Sequence, residues 1–184
     1  MPTGDRHVDT STATADGSDF EGGIGNWSTG DQASAAAAST DRAHRGTYSV
    51  KVTRSAVSPG SYLVVSGSDF PVTASAVWFF EYWLYTSAAA GVFRTDVDWY
   101  QADGSTYISS FAGTNVSATP NQWTKAGPFT ATSPALAGFA RPALVSVSGM
   151  AAGTTVYLDD VFFGRRIWRS CLVMPQSVTR ASIR

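Results

Sequence analysis

The sequence predicts an all-β protein, built as a sandwich or a barrel. Short runs rich in Val, Tyr, Phe and Trp recur between clusters of Gly, Pro, Ser and Asn, a pattern typical of strands joined by turns. The chain of 184 residues suffices for one sizeable core and is short for two, so we expect one domain. We predict strands in these runs: 48–53, 61–66, 77–86, 92–100, 123–130, 139–147 and 155–163.

Three further local signals complete this prediction. The alanine-rich segment 32–40 has a high helix propensity but is too short to hold a helix alone, and its Ser and Thr residues favour an edge strand. Asp103-Gly104 lies between two aromatic runs and predicts a hairpin turn. Pro142 cannot donate a ladder hydrogen bond, so we expect its strand to start late or to lie at an edge.

The two ends of the chain differ in composition from the middle. Residues 1–18 are polar and carry too little apolar surface to fold alone, which predicts an N-terminal arm. Residues 165–184 contain five arginines and no acid, which predicts a basic C-terminal arm. The predicted sandwich therefore covers residues 19–164. We predict that the basic arm docks on a neighbouring protein through Arg165, Arg166, Trp168 and Arg169.

Overall composition excludes several classes of partner. The formal net charge is −1 and charged residues make up 15% of the chain, so we expect neither nucleic-acid binding nor attraction to an acidic membrane. No apolar run approaches the length of a membrane span, and the first twenty residues lack the apolar core of a secretory signal. The single cysteine, Cys171, excludes an intramolecular disulfide.

Two neighbouring carboxylates interrupt an apolar strand near the end of the predicted sandwich. Asp159 and Asp160 follow Tyr157-Leu158, and a buried carboxylate must be paired or bound to a metal. Another acid, Glu21, lies near the other end, beside glycines. Oxygen ligands from distant segments suit Ca²⁺, so one hypothesis is a calcium site. The other is that Glu21 and Asp160 are solvated and Asp159 accepts backbone hydrogen bonds.

Five motifs follow one another along residues 19–164. They are Asp19-Phe20-Glu21 with Trp27, the segment 44–52, the segment 97–104, Gln122-Trp123-Thr124 and the segment 156–161. In order and spacing they resemble landmarks of the carbohydrate-binding modules of families 4, 9 and 22. The resemblance implies a galactose-binding-like jelly-roll sandwich of two antiparallel sheets and places Trp27 in the core.

The resemblance also implies a structural Ca²⁺. Modules of this group often hold the ion with a glutamate similar to Glu21, an aspartate similar to Asp159 and carbonyl groups of a segment similar to 46–48. By this resemblance the ligands are Glu21, Asp159 and the carbonyls of Gly46 and Tyr48. The residues themselves leave open which of Asp159 and Asp160 is the metal ligand.

The alternation of side chains along two strands predicts a recognition surface. In 77–86 the better core set is Phe80, Tyr82 and Leu84, and in 92–100 it is the set that contains Val97 and Trp99. The opposite sets would form one polar and aromatic surface that suits a sugar ring or, equally, a protein interface. The predicted ligand-binding residues are Glu81, Trp83, Tyr85, Arg94, Asp96, Asp98 and Tyr100.

Catalysis has little support in the sequence. A glycosidase needs two carboxylates at a defined separation, and only Glu81 with Asp96 or Asp98 would supply them on one face. Neither His7 nor His44 lies in the context of a catalytic triad. We therefore predict a protein that is not an enzyme.

The predicted function is glycan or cell-surface adhesion by a non-catalytic, carbohydrate-binding-module-like protein. Because the chain begins at Met1 without an export signal and its arms suit docking, we expect display on a phage particle, bound to capsid or tail proteins in a homo-oligomer or assembly. The alternatives are a host-encoded free-standing glycan-binding module, cytoplasmic or non-classically released, and a structural decoration protein that binds no sugar.

Overall fold

The chain folds into a sandwich of two antiparallel β-sheets. A computed structural model describes residues 8–11, 19–55, 62–66 and 70–167, and the description below concerns these residues. All strand pairs within them are antiparallel, and none of the described residues is helical. Among them there is accordingly no helix that could span a membrane. The predicted all-β sandwich of antiparallel sheets is confirmed.

The first sheet has six strands. Their order is β11-β7-β13-β4-β3, and β1 pairs with the far end of β13. The strands are β1 (Val8–Ser11), β3 (Ala33–Ser39), β4 (Ser49–Arg54), β7 (Val77–Thr86), β11 (Trp123–Thr132) and β13 (Thr155–Ile167).

The second sheet has seven strands. Their order is β10-β8-β12-β5-β2, with β9 paired to β8 and β6 paired to β12. The strands are β2 (Trp27–Thr29), β5 (Val64–Ser66), β6 (Phe70–Pro71), β8 (Val92–Tyr100), β9 (Tyr107–Ala112), β10 (Val116–Ser117) and β12 (Phe139–Ser148).

Alternating side chains of both sheets fill the space between them. β7 contributes Phe80, Tyr82 and Leu84, and β8 contributes Val97 and Trp99, all of them buried. The predicted assignment of inward-facing residues on these two strands is therefore confirmed. Trp27 is also buried and contacts Phe20 edge to face, which agrees with its predicted place in the core.

Most of the predicted strands are present. β7 and β8 have the predicted bounds, the alanine-rich segment forms the edge strand β3, and Asp103-Gly104 lies in the turn that joins β8 to β9. Short strands such as β6 and β10, with two residues each, were not predicted, because so short a run shows no alternation.

The expectation for Pro142 is wrong. This proline lies inside β12, an interior strand of the second sheet, opposite Val97 of β8. On the other side of β12, β6 pairs with Phe139 and Ala140, and β5 pairs with Ala143 and Leu144. Neither strand stands opposite Pro142, so the missing N–H group leaves no ladder hydrogen bond broken there.

The boundary of the predicted C-terminal arm lies inside a strand. β13 continues past Gly164 to Ile167, and its last residues pair with Val8–Ser11 of the predicted N-terminal arm. Arg165 and Arg166 are thus strand residues, because an antiparallel partner satisfies their backbone groups. The predicted interface residues Trp168 and Arg169 lie outside the described residues, as do Cys171 and most of both arms.

Candidate functional site

The predicted recognition residues lie on two opposite faces of the molecule. Glu81, Trp83 and Tyr85 belong to β7 of the first sheet, whereas Arg94, Asp96, Asp98 and Tyr100 belong to β8 of the second. The outward assignment is right for both strands, but the prediction of one continuous surface is wrong. The segment 87–91 crosses from one sheet to the other, so consecutive strands are not neighbours here.

We call the outer side of the first sheet the first face. Besides the three β7 residues, it contains residues that stand opposite them in register: Trp123 and Lys125 of β11 and Tyr157 of β13. Lys125 Nζ lies 3.3 Å from Glu81 Oε2. These six neighbouring positions therefore combine four aromatic rings with one ion pair.

A loop formed by residues 41–48 covers much of the first face. The His44 ring is stacked on Trp83, with 3.9 Å between ring centroids and an angle of 14° between the planes. The Arg42 guanidinium lies 4.3 Å from the centroid of the Tyr85 ring. Trp83 is half-buried and Tyr85 is buried. Trp83 and Tyr85, two of the predicted ligand-binding residues, are thus already in contact with side chains of the same chain.

The Asp159 carboxylate of β13, a strand distant in sequence, holds this loop in place. Asp159 Oδ2 accepts hydrogen bonds from the backbone N–H groups of His44 at 2.7 Å and Arg45 at 3.2 Å. Asp159 Oδ1 accepts the N–H of Asp160 at 2.7 Å. Burial of Asp159 raises the pKa of its carboxyl, although these three donors act in the opposite direction. Asp159 therefore satisfies backbone groups of the loop that buries it.

Asp159 and Asp160 have different environments because β13 has an irregularity directly after Asp159. The register of β13 with β7 shifts between Asp159 and Phe162, and Asp160 has a left-handed φ of 46°. Asp160 is half-buried, and its Oδ2 lies 2.5 Å from His44 Nδ1. Both acids therefore contact the loop, one through its backbone and the other through the imidazole ring of His44.

The predicted metal ligands meet at the same loop. Glu21 Oε1 accepts hydrogen bonds from the N–H groups of Thr47 and Tyr48, both at 2.8 Å. Gly46 has a left-handed φ of 70°, which favours glycine, and a Cβ there would lie 2.3 Å from Glu21 Oε1 and would displace that carboxylate. Among the described residues no group of three or more His, Cys, Asp or Glu side chains is placed to hold a metal.

We call the outer side of the second sheet the second face. Its centre is Asp98, whose two carboxylate oxygens each lie 2.8 Å from the Tyr62 hydroxyl. Ser110 also donates to Asp98, and the Ser110 and Tyr107 hydroxyl oxygens are 2.9 Å apart. Burial, followed by the hydrogen bond to Asp98, raises the pKa of Tyr62. A chain of hydrogen bonds thus connects Tyr62 to Tyr107 through Asp98 and Ser110.

Arginines hold the remaining polar groups of the second face. Arg94 Nε and Nη2 donate to the two oxygens of Asp96 at 2.7 and 2.8 Å, and this pairing raises the pKa of Arg94. The Arg141 guanidinium lies 4.2 Å from the centroid of the Tyr100 ring, and its Nη2 donates to the carbonyl of Gly104 at 3.1 Å. Both carboxylates of the face are therefore engaged with neighbouring side chains.

The aromatic rings of the second face remain accessible. Tyr107 is 53% exposed, and its ring meets Tyr100 edge to face at 5.8 Å. Tyr62 and Tyr100 are half-buried. The sequence-based prediction included Tyr100 but missed Tyr62, Tyr107 and Arg141. The signal for Tyr107 was the Asp103-Gly104 hairpin, which places it opposite Tyr100 in register. Tyr62 and Arg141 have no comparable local signal.

Comparisons with known proteins agree on the fold. No protein-family model matches the chain, and no curated protein matches it. The C-terminal family 22 carbohydrate-binding module of Clostridium thermocellum Xyn10B is 15% identical, with a TM-score of 0.62 over 92% of this chain and 99% of that one. The tandem CBM22-1–CBM22-2 of Paenibacillus barcinonensis Xyn10C is 14% identical, with a TM-score of 0.66 over 89% of this chain and 51% of that one.

A module of another family has the same architecture. TmCBM61, solved with β-1,4-galactotriose, is 18% identical, with a TM-score of 0.53 over 82% of this chain and 96% of that one. These identities are too low to carry residue roles, and they show the fold alone. The chain has the β-sandwich fold of carbohydrate-binding modules.

Proposed function

We propose that this protein is a non-catalytic glycan-binding module and that the glycan binds at the second face. The observation that carries this proposal is a group of three accessible rings: Tyr62 and Tyr107 are fixed around Asp98 by hydrogen bonds, and Tyr100 meets Tyr107 edge to face. A pyranose ring offers an apolar face for stacking and a rim of hydroxyl groups. Aromatic rings beside fixed donors and acceptors match both features.

Preorganisation supports the same conclusion. Tyr62 and Tyr107 are held by their hydroxyl groups, so little side-chain freedom remains to be lost when a ligand binds. The structural neighbours add support from outside the chain, because they include modules described as xylan-binding and one solved with a β-1,4-linked galactose trimer. Their ligands suggest a polysaccharide, including one on a cell surface, as the partner.

The carboxylates of the second face favour binding over hydrolysis. Asp96 forms a two-pronged pair with Arg94, and Asp98 accepts hydrogen bonds from Tyr62 and Ser110. A glycosidase would need one carboxyl group as a proton donor and another free to act as a base or nucleophile. Groups bound in this way serve to orient a ligand.

The test of the proposed function is a glycan array followed by calorimetry. We expect binding to a polysaccharide or its oligomers, with xylan and β-1,4-galactan as the first candidates, and loss of that binding in Tyr107→Ala. The control is Tyr48→Ala, the same change at another exposed tyrosine, which should bind as the wild type does. Absence of any glycan ligand, or equal loss in both variants, would refute the proposed site.

We also propose that a structural Ca²⁺ binds beside the loop 41–48. Glu21 and Asp159 come from distant parts of the chain and both contact this loop. Thr47 and Tyr48 donate to Oε1 of Glu21, and Oε2 is the oxygen that we assign to the cation. The carbonyls of Gly46 and Tyr48 would complete the oxygen ligands. The ion would fix the loop to the first sheet and take no part in glycan chemistry.

Display on a phage particle remains a prediction from the sequence. Arg165 and Arg166 are paired strand residues, so the test must leave β13 intact. A chain truncated after Ile167 should lose incorporation into particles if the last residues dock on capsid or tail proteins. Undiminished incorporation, or a gene far from capsid and tail genes, would favour the free-standing module.

A further inference from the structure

The edge strand β3 offers an unusually open pairing surface. β3 (Ala33–Ser39) pairs with β4 on one side, and none of the other described strands pairs with it on the second side. Its sequence, ASAAAAS, contains no charge and no proline. The side chains at positions 34, 35, 37 and 38 are exposed. A row of backbone N–H and C=O groups therefore lies at the surface with only small side chains around it.

The opposite edge of the same sheet is protected. β11 contains Lys125, and Pro128 lies in its middle, where the register with β7 shifts between Ala126 and Phe129. A lysine, a proline and an irregular register are the usual devices that prevent strand pairing between molecules. β3 has a shift at its start, between Ala33 and Ala35, and is regular from Ala35 to Ser39. The two edges of the first sheet thus differ in their readiness to pair.

We propose that β3 pairs with β3 of a second copy of this chain, in antiparallel orientation, about a two-fold axis at Ala36. In this register Ala35 faces the partner's Ala37 and Ala33 faces the partner's Ser39. A two-fold axis perpendicular to the sheet keeps the two inner faces on the same side only if residues of equal parity stand opposite each other, and the axis at Ala36 also gives the strand its full overlap. The small side chains allow the two edges to approach closely.

The charges beside β3 are compatible with this pairing. The strand itself brings no charge to the interface. Asp31 and Asp41 flank it, and the axis at Ala36 brings Asp31 near the partner's Asp41. Lys51 Nζ lies 2.6 Å from Asp41 Oδ2 and neutralises that acid. Lys51 therefore reduces the repulsion between Asp31 and the partner's Asp41 in this register.

The test compares two double variants that differ only in the sign of the charge at position 35. Ala35→Glu/Ala37→Glu places a glutamate opposite the partner's glutamate at both symmetric positions. Ala35→Lys/Ala37→Glu places a lysine opposite the partner's glutamate instead. In both variants the glutamate at position 37 stands opposite Lys51 of the same chain, so this contact does not differ between them. The control is Thr130→Glu/Thr132→Glu, two exposed positions of the protected edge β11.

Sedimentation velocity of the full chain measures the outcome. We expect dimers for the wild type, the lysine–glutamate variant and the β11 control, and monomers for the double glutamate variant at the same concentration, because like charges opposite each other destabilise strand pairs. Equal melting temperatures would show that all variants fold. A monomeric wild type overturns the proposal, even if β3 then binds an extended segment of another protein. A double glutamate variant that still dimerises also overturns it.

Discussion

The two outer faces of the sandwich use aromatic residues in opposite ways. On the first face, Trp83 and Tyr85 are covered by His44 and Arg42 of the loop 41–48. On the second face, Tyr62 and Tyr107 are fixed at their hydroxyl ends, and Tyr107 leaves half of its surface exposed. An aromatic ring on an outer face is therefore not in itself a binding site. What decides is whether another part of the same chain already occupies the ring.

The anchoring groups differ in the same way. The first face depends on buried Asp159, which binds backbone groups of the covering loop. The second face depends on Asp98, which accepts hydrogen bonds from the side-chain hydroxyls of Tyr62 and Ser110. The first arrangement attaches a loop to its sheet, and the second holds side chains that remain accessible at the surface. Perturbing one face should consequently affect folding, and perturbing the other should affect binding.

The largest expected effect is that of Asp159→Ala. The change leaves three partly buried backbone N–H groups of the first face without their acceptor, and an unsatisfied buried group costs about 1–3 kcal/mol. We expect the free energy of unfolding in urea to fall by roughly 3 kcal/mol or more. Asp160→Ala should cost less, because Asp160 is half-buried. Equal losses would show that the loop is not anchored through Asp159.

The second-largest expected effect is that of Ca²⁺ removal on the melting temperature. An ion that binds only the folded state at 100 times its dissociation constant stabilises that state by about 2.7 kcal/mol. We expect excess chelator to lower the melting temperature of the wild type and to have little effect on Glu21→Gln. A melting curve of the wild type that chelator leaves unchanged would refute the calcium proposal and leave the hydrogen bonds as the full account of the loop.

A pair of aromatic substitutions compares the two faces directly. Tyr100→Ala should weaken glycan binding by about 2 kcal/mol, roughly 30-fold, and change the melting temperature little. Trp83→Ala should do the reverse, because it removes a ring that stacks on His44. Calorimetry and thermal unfolding of both variants measure the two effects. If Trp83→Ala abolishes binding in a folded protein, the ligand lies on the first face.

The smallest expected effect is on the pKa of Asp103, in the turn that precedes Tyr107. Donors from Thr106 and Ser105 lower the pKa of Asp103 from its ordinary 3.8 to about 2. The folded state therefore binds fewer protons than the unfolded state, and the contribution of Asp103 is present above pH 3.8 and lost as the pH falls towards 2. Thr106→Val should raise the pKa of Asp103 in a carboxyl NMR titration. An unchanged value would mean that the Thr106 hydroxyl is not its main donor.

Much of the fold was predictable because alternation along a strand is a local property. The bounds of β7 and β8 and their inward residues follow from it, whereas the edge strand β3 was predicted from the Ser and Thr residues around its alanines. The division of β7 and β8 between two sheets does not follow from alternation, since no local signal distinguishes a crossing segment from a hairpin. The edge position expected from Pro142 was wrong for the same reason, because the strands that pair with β12 come from distant parts of the chain.

The candidate site was predictable only in part. Arg94, Asp96, Asp98 and Tyr100 lie together on one strand, so their common face could be deduced from parity. Tyr62 joins them from a segment 36 positions away, and Arg141 joins them from β12. The covering of Trp83 by His44 is likewise a contact between remote residues. Such contacts depend on the whole topology, which residue patterns within single strands do not contain.

The position of the free edge on the first sheet has a consequence for valency. A two-fold axis perpendicular to that sheet, as in the proposed dimer, would leave both second faces on the same side of the assembly. Two weak sites on one side would engage a repeating polymer together, with a high effective concentration for the second contact. Such an assembly would discriminate by avidity, retaining long or immobilised chains while releasing short soluble fragments.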